Sequence, residues 1–199
     1  GSEVSRVGVG DRVCPISATA WLAGEPSRDK VKTTLGGPFD GTLCELMKVN
    51  AEAVVRVPAF LSDEEAACLP CAGVTAWSAL VTHGDLTAGD TLLTLGTGGV
   101  SIFGLQLAKA LGARVIITSS SDDKLERAKD LGADVVINYR RNPEWGKAAR
   151  DAARGRGVDH VLEVGGASTF AHSLKAVRPG GTVSIIGNLR GGATEINLL

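Results

Sequence analysis

The residues best suited to chemistry form a glycine-rich segment near the middle of the chain. It reads Gly96-Thr97-Gly98-Gly99-Val100-Ser101, follows an apolar run at residues 91–95 and precedes a helical pattern that begins at residue 100. A turn with almost no side chains lets a backbone approach a pyrophosphate closely and directs a helix N-terminus at its charge. The segment therefore predicts dinucleotide binding by residues 96–101.

The segment departs in one place from the strict fingerprint G-x-G-x-x-G. Gly96 and Gly98 hold the first two glycine positions, and Ser101 holds the third, where glycine permits close packing of helix on strand. A second apolar run at residues 114–118 stands at the distance that a βαβ unit requires. The alternative is an ordinary strand-to-helix turn of an α/β protein.

Composition limits the classes of partner. The 199 residues carry a net charge of −1 and are 44% hydrophobic, with no basic block, so binding to nucleic acid or to an anionic membrane is not expected. No apolar run approaches the roughly 18 residues that span a bilayer. The first residues lack a secretion signal pattern, which makes the cytoplasm the expected compartment. A small molecule is the expected substrate.

The four cysteines do not form a recognisable metal site. Cys68 and Cys71 have the C-x-x-C spacing of a redox or zinc site, but no second pair accompanies them, and Cys14 and Cys44 stand apart. No metal site is therefore predicted.

The first part of the chain is β-rich. Strands are predicted at residues 13–16, 43–49 and 54–57, with an irregular loop at residues 21–35. Ser62 and Glu65 form a capping-box pattern that predicts a helix start, and a further helical stretch covers residues 75–83.

From residue 86 the pattern alternates between strand and helix. Alternation of this kind predicts an α/β fold with a doubly wound, mostly parallel sheet of the Rossmann type, whose ligands bind at the carboxyl ends of the strands. The predicted strands are residues 91–95, 114–118, 134–137, 160–164 and 182–186, and the predicted helices are residues 100–111, 122–131, 143–153 and 168–177.

Five segments, in this order and spacing, resemble the medium-chain dehydrogenases/reductases. They are Gly10-Asp-Arg-Val13, Pro70-Cys-Ala-Gly-Val-Thr75-Ala-Trp-Ser-Ala-Leu80, Ala88-Gly-Asp90, Leu95-Gly-Thr-Gly-Gly-Val100 and Arg178-Pro-Gly-Gly-Thr182. The chain looks closest to zinc-independent alcohol dehydrogenase and quinone oxidoreductase-like members. The resemblance implies a partial GroES-like catalytic lobe with connecting helices at residues 1–85 and a Rossmann domain at residues 86–199. It also implies that the family's fold extends beyond this chain at both ends. Family members often form homodimers through a sixth strand that is missing here, so the resemblance leaves the oligomeric state open, with a homodimer as one alternative.

The second Rossmann strand bears on the choice of nicotinamide cofactor. NAD-binding proteins place an acid near its end, whereas this chain has Ser119 and Ser120 there, about 23 residues after Gly96. Hydroxyls tolerate a 2′-phosphate, Lys124 follows one helical turn later, and Tyr139 resembles a tyrosine that similar reductases place at this phosphate. NADP is therefore predicted over NAD, although Lys124 could be an ordinary solvated charge.

The resemblance also assigns residues to the reaction. Thr75 resembles the family threonine beside the nicotinamide, although it could simply start a helix. Cys71 aligns with a catalytic zinc ligand whose two partners are absent here, so zinc is not expected and Cys71 should be a small buried residue beside the cleft. The strand ends at Gly165, Ile186 and Gly187 should line the cofactor cleft.

These features together predict an NADP-dependent oxidoreductase that transfers hydride to or from a carbonyl, alcohol, quinone or activated alkene. One alternative is a nucleotide-binding module without turnover, because the catalytic lobe is incomplete. Another is a methyltransferase using S-adenosylmethionine, which would normally require an acid where Ser119 stands.

Overall fold

A computed structural model describes residues 3–187 of the chain. The chain divides into two compact units, residues 1–71 and residues 72–199. Residues 72–85, expected as helices connecting two lobes, group with the second unit. The final part of the predicted Rossmann domain, residues 188–199, lies outside the described residues.

The first unit has little regular structure. Strands β1 (Val13–Pro15) and β2 (Val54–Arg56) pair antiparallel, with short helices at α1 (Arg28–Val31) and α2 (Asp63–Ala67) and a 3₁₀ turn at Ala51–Ala53. The capping box that starts α2 is confirmed, because the Ser62 hydroxyl accepts from Glu65 N–H and the Glu65 carboxylate accepts from Ser62 N–H. Helix α1 occupies part of the predicted loop at residues 21–35.

The strand predicted at residues 43–49 is wrong. These residues adopt no helix or strand, and the side chains of Leu43 and Leu46 are almost fully exposed. Their apolar character favours a strand locally, but no neighbouring strand of the described chain pairs with them. Without a partner the backbone N–H and C=O groups gain nothing from extended geometry.

A run of short helical turns crosses the boundary at residue 71 into the second unit. One π-helical turn covers Leu69–Gly73, α3 covers Val74–Trp77 and a second π-helical turn covers Ser78–Thr82. The helix predicted at residues 75–83 is thus confirmed in position but interrupted in its hydrogen-bond pattern. Leu80, which is fully buried, anchors this run to the core of the second unit.

The second unit is a five-stranded sheet with helices between its strands. All neighbouring strands are parallel, and their order is β5-β4-β3-β6-β7. The strands are β3 (Thr91–Thr94), β4 (Arg114–Ser119), β5 (Val135–Asn138), β6 (Val158–Glu163) and β7 (Val177–Ile185), and the helices are α4 (Gly99–Ala110), α5 (Asp122–Asp130), α6 (Trp145–Ala152) and α7 (Ala167–Ala176).

This topology confirms the predicted Rossmann-type α/β fold. The chain leaves β3 toward β4 and β5 and then returns to place β6 on the other side of β3, so the order switches between β3 and β6. Strand β7 begins five residues earlier than predicted and runs through Pro179. It is the outermost strand, where a residue without an N–H group is tolerated.

Two hydrophobic clusters cover the faces of the sheet. Leu92 packs in one cluster with residues of α4 and α5, while its neighbour Leu93 packs in the other with residues of α6. This alternation follows from the two-residue period of a strand, and burial on both faces explains why the central strands read as continuous apolar runs. No helix within residues 3–187 is long and apolar enough to cross a bilayer.

Candidate cofactor site

A cavity of about 560 Å³ opens at the carboxyl ends of β3, β4, β6 and β7, across the switch in strand order. Open α/β sheets bind their ligands at this position. Nine of the residues predicted to bind cofactor line it: Gly96, Gly98, Gly99, Val100, Ser101, Tyr139, Gly165, Ile186 and Gly187. The remaining lining residues are Leu95, Thr118, Trp145, Val164, Ser168, Thr169 and His172.

The glycine turn leaves the start of α4 open to the cavity. Gly96 has a φ of +72°, which favours glycine, and its N–H donates to Thr118 Oγ1 at 3.2 Å. Gly98 is the N-cap residue of α4, and no side chain caps the helix. The first N–H groups of a helix have no intrahelical acceptor and carry partial positive charge, so this end of α4 can bind an anion.

The space beside Gly98 is empty of protein. A Cβ atom built on Gly98 meets no atom within 4 Å, and the backbone there (φ −82°, ψ 177°) is extended and open to any residue. The glycine is therefore not required by the fold of this chain. Its value lies in the room that it leaves above the helix N-terminus, which is the room a pyrophosphate would occupy.

The close packing of helix on strand, which the third glycine of the fingerprint usually permits, involves both Ser101 and Gly104 here. Ser101 is buried, and its hydroxyl donates to Leu95 C=O at 2.6 Å at the end of β3. Gly104 provides the close packing, because a Cβ there would lie 2.4 Å from Leu162 Cδ1 of β6. The sequence analysis missed Gly104, although it follows Ser101 by three residues on the same face of α4.

Only some of the residues predicted to bind the adenosine end of the cofactor lie close together. Ser119 is the last residue of β4, and its C=O accepts from Tyr139 N–H at 3.1 Å, so these two lie side by side. Tyr139 lines the cavity, whereas Thr97, Ser119, Ser120 and Lys124 do not.

An ion pair beside Ser119 was not predicted. Asp122 in the first turn of α5 pairs with the Arg141 guanidinium, and its other oxygen accepts from Asn138 Nδ2 at 2.8 Å. The carboxylate that follows β4 most closely is therefore already neutralised. Lys124 and Arg140 form no ion pair within the described part of the chain.

The far wall of the cavity consists of the β6–α7 turn, the first turns of α7 and the end of β7. Packing there is tight: a Cβ on Gly165 would lie 2.4 Å from Thr169 Oγ1, and one on Gly187 would lie 2.6 Å from Val164 C=O. His172 stacks on Trp145 with ring centroids 4.9 Å apart. The stack was not predicted. The helical spacing of Ser168, Thr169 and His172 does indicate that these three residues share one face of α7.

The two residues predicted to act in the reaction are not among the residues that line the cavity. Thr75 is half-buried in α3 and does not line the cavity. Cys71 is exposed, so the expectation that it is buried is wrong. Within residues 3–187 no three His, Cys, Asp or Glu side chains are grouped to hold a metal ion. The donor set needed for a catalytic zinc is therefore not assembled in this part of the chain.

Comparison with known proteins decides the family. Residues 99–199 match the family model described as zinc-binding dehydrogenase. The chain belongs to the medium-chain dehydrogenase/reductase superfamily. The matched residues include the described strands β4 to β7 and the helices α4 to α7.

Curated and solved relatives agree over nearly the whole chain. A zinc-type alcohol dehydrogenase-like protein of Schizosaccharomyces pombe is 42% identical over 200 residues, covering 100% of this chain and 58% of the relative. A protein described as an alcohol dehydrogenase from Sinorhizobium meliloti 1021 is 45% identical with a TM-score of 0.90, covering 98% of this chain and 58% of the other. The chain thus spans little more than half the length of these relatives.

Two further solved structures differ in cofactor. An NAD-dependent alcohol dehydrogenase is 40% identical, with a TM-score of 0.73 over 79% of this chain and 46% of the other. A mycobacterial protein in complex with NADPH is 34% identical, with a TM-score of 0.67 over 73% of this chain and 45% of the other. Both cofactors therefore occur on folds similar to this one.

Proposed function

We propose that this chain binds NAD(P)H in the cavity at the switch point, and that the protein is an oxidoreductase acting on a carbonyl, alcohol, quinone or activated alkene. The observation that carries the proposal is the uncapped N-terminus of α4, facing an empty space above Gly98. Backbone N–H groups there would bind the pyrophosphate. The dehydrogenase and reductase relatives support the reaction class.

The residues of this chain contribute binding and orientation in the proposed reaction. The nicotinamide ring, when bound, supplies or accepts the hydride, and the cavity walls fix its position against the substrate. Thr75, in α3, remains the proposed contact beside the ring. No step is assigned to zinc, since its ligands are not assembled within residues 3–187.

We further propose NADP as the preferred cofactor. Ser119 and Ser120 end β4 without a carboxylate, and Asp122 is held by Arg141 and Asn138. Lys124 and Arg140 supply positive charge near the same strand ends. A dianionic 2′-phosphate would meet hydroxyl donors and cations there, and the nearest acid is already paired.

Nucleotide titration of a Gly98→Val variant tests the binding proposal. Valine suits the extended backbone at Gly98 but fills the pyrophosphate space, so we expect the dissociation constants for NADPH and NADH to rise by about 100-fold, equivalent to about 2.7 kcal/mol. Gly8→Val is the matched control, because a Cβ on Gly8 also meets nothing within 4 Å but lies in the first unit.

Calorimetric titration gives the dissociation constants, and circular dichroism confirms that both variants fold. Undiminished affinity in Gly98→Val would show that the glycine turn does not hold the phosphates. Turnover is then measured with quinones, enones and alcohols. Binding without any turnover would reduce the proposal to a nucleotide-binding module.

A further inference from the structure

Glu163, at the carboxyl end of β6, is a fully buried carboxylate with no cation beside it. Its side chain is 0% exposed, and no Lys, Arg or His of residues 3–187 pairs with it. Burying an ionised carboxylate costs free energy unless donors surround it. The groups that donate hydrogen bonds to the carboxylate therefore indicate its structural role.

Four neutral donors converge on this carboxylate. Oε1 accepts from Gly165 N–H at 2.7 Å, from Gly166 N–H at 3.0 Å and from Thr169 Oγ1 at 2.6 Å, and Oε2 accepts from Ser173 Oγ at 2.5 Å. Two of the donors are the backbone of the β6–α7 turn, and two are hydroxyls on successive turns of α7. The side chain thereby fixes the turn to the helix.

The backbone of the same residue fixes the neighbouring strand. Glu163 C=O accepts from Ile186 N–H at 2.9 Å and from Gly187 N–H at 3.3 Å. Every element of the far cavity wall is therefore bonded to Glu163: the turn at Gly165, the face of α7 and the end of β7. Glu163 itself does not line the cavity.

We propose that Glu163 is a positioning residue for the cofactor, which holds the β6–α7 turn and the first turns of α7 in the geometry that closes the cavity opposite the glycine turn. The proposal rests on the proposed nucleotide binding. It also explains why the two helix N-termini at the cavity differ: that of α7 is occupied by an internal carboxylate, whereas that of α4 is open.

Three variants test the proposal in the complete chain. Glu163→Leu removes both side-chain acceptor oxygens, and we expect the dissociation constant for NADPH to rise at least about tenfold. Glu163→Gln keeps an amide oxygen for Gly165, Gly166 and Thr169, and its NH₂ group can donate to Ser173 Oγ, so affinity should return to within about threefold of wild type. Ser173→Ala, which changes a buried residue outside the cavity lining, should weaken binding by about threefold.

Asp159→Asn is the matched control, since Asp159 is a 2% exposed acid at the amino end of the same strand. It should lower the melting temperature without changing the dissociation constant. Titrations are made below the unfolding transition of each variant. Amide exchange is followed over residues 164–173 and residues 96–101, and faster exchange in Glu163→Leu should be confined to the former.

The outcomes separate the two proposals. Failure of the wild-type chain to bind NADPH or NADH would refute the proposed function and this inference with it. Binding by wild type with unchanged constants in Ser173→Ala, and in Glu163→Leu if that variant folds, would refute the inference alone. An equal loss of affinity in Asp159→Asn would also refute it, because the effect would then be general destabilisation.

Discussion

The side chains that line the cavity contribute little charge near the start of α4, where the pyrophosphate is proposed to bind. Within the described residues its lining contains no Lys, Arg, Asp or Glu, and the available donors are backbone N–H groups at the start of α4. Backbone donors bind pyrophosphate in NAD and NADP alike. Under the proposed function, we therefore expect side chains at the end of β4 to discriminate between the two cofactors.

A Ser119→Asp substitution tests that discrimination. A carboxylate at residue 119 would repel a 2′-phosphate and could accept from ribose hydroxyls, so we expect NADPH affinity to fall about tenfold while NADH affinity is kept or improved. Ser119→Ala, which adds no charge, is the control. Paired titrations with both nucleotides measure the ratio, and an unchanged ratio in Ser119→Asp would contradict the NADP assignment.

Position 101 shows what a sequence pattern can predict about the structure and what it cannot. The sequence correctly indicates a small residue there, since Ser101 is buried against β3. It does not reveal that the hydroxyl bonds to Leu95 C=O, or that the closest packing against β6 falls to Gly104. Both facts depend on which strand lies beneath α4, and local spacing does not contain that information.

At the scale of elements, the alternating half of the chain was predicted throughout, whereas in the first half one predicted strand is absent. All five strands and four helices from residue 91 onward are confirmed to within a few residues, because strands buried on both faces and amphipathic helices carry strong periodic signals. The strand predicted at residues 43–49 failed because extended structure requires a neighbour. Trp145 and His172 were missed because their contact joins two helices that are far apart in sequence.

Asp159 joins the amino ends of three strand-bearing segments. It accepts from Thr91 N–H of β3 at 2.8 Å, from Arg178 Nε of β7 at 2.5 Å and from Arg156 Nη2 at 2.8 Å. Burial alone would raise the pKa of this carboxyl. The hydrogen bonds from Arg178 and Thr91, with the charges of the two arginines, outweigh burial and hold the pKa below its ordinary value.

This lowered pKa predicts a pH-dependent stability. The contribution of Asp159 is complete above the unfolded-state pKa of about 3.9 and is lost as the pH falls through the lower folded-state pKa. Asp159→Asn should therefore lower the free energy of unfolding by about 3 kcal/mol at pH 7 and by clearly less at pH 3. Urea denaturation at both pH values measures the two differences, and a constant difference would argue against this role.

At the scale of the whole molecule, the candidate site belongs to one unit. Both hydrophobic clusters draw their buried members from residue 80 onward, and every residue that lines the cavity lies between 95 and 187. The described part of the first unit has a short two-stranded pair and a few short helical segments, and it exposes large apolar side chains such as Leu43 and Phe60. The cavity proposed to hold the nucleotide is thus lined only by described residues of the second unit.

Removing residues 1–71 tests whether the second unit alone can bind the nucleotide. Because the second unit contains its own core and the complete cavity lining, we expect residues 72–199 to fold and to bind NADPH with a dissociation constant within about threefold of the full chain, a difference of about 0.65 kcal/mol. Circular dichroism and calorimetric titration measure the two properties, with Gly98→Val in the shortened chain as the negative control. A shortened chain that folds but no longer binds would mean that residues of the first unit complete the nucleotide site.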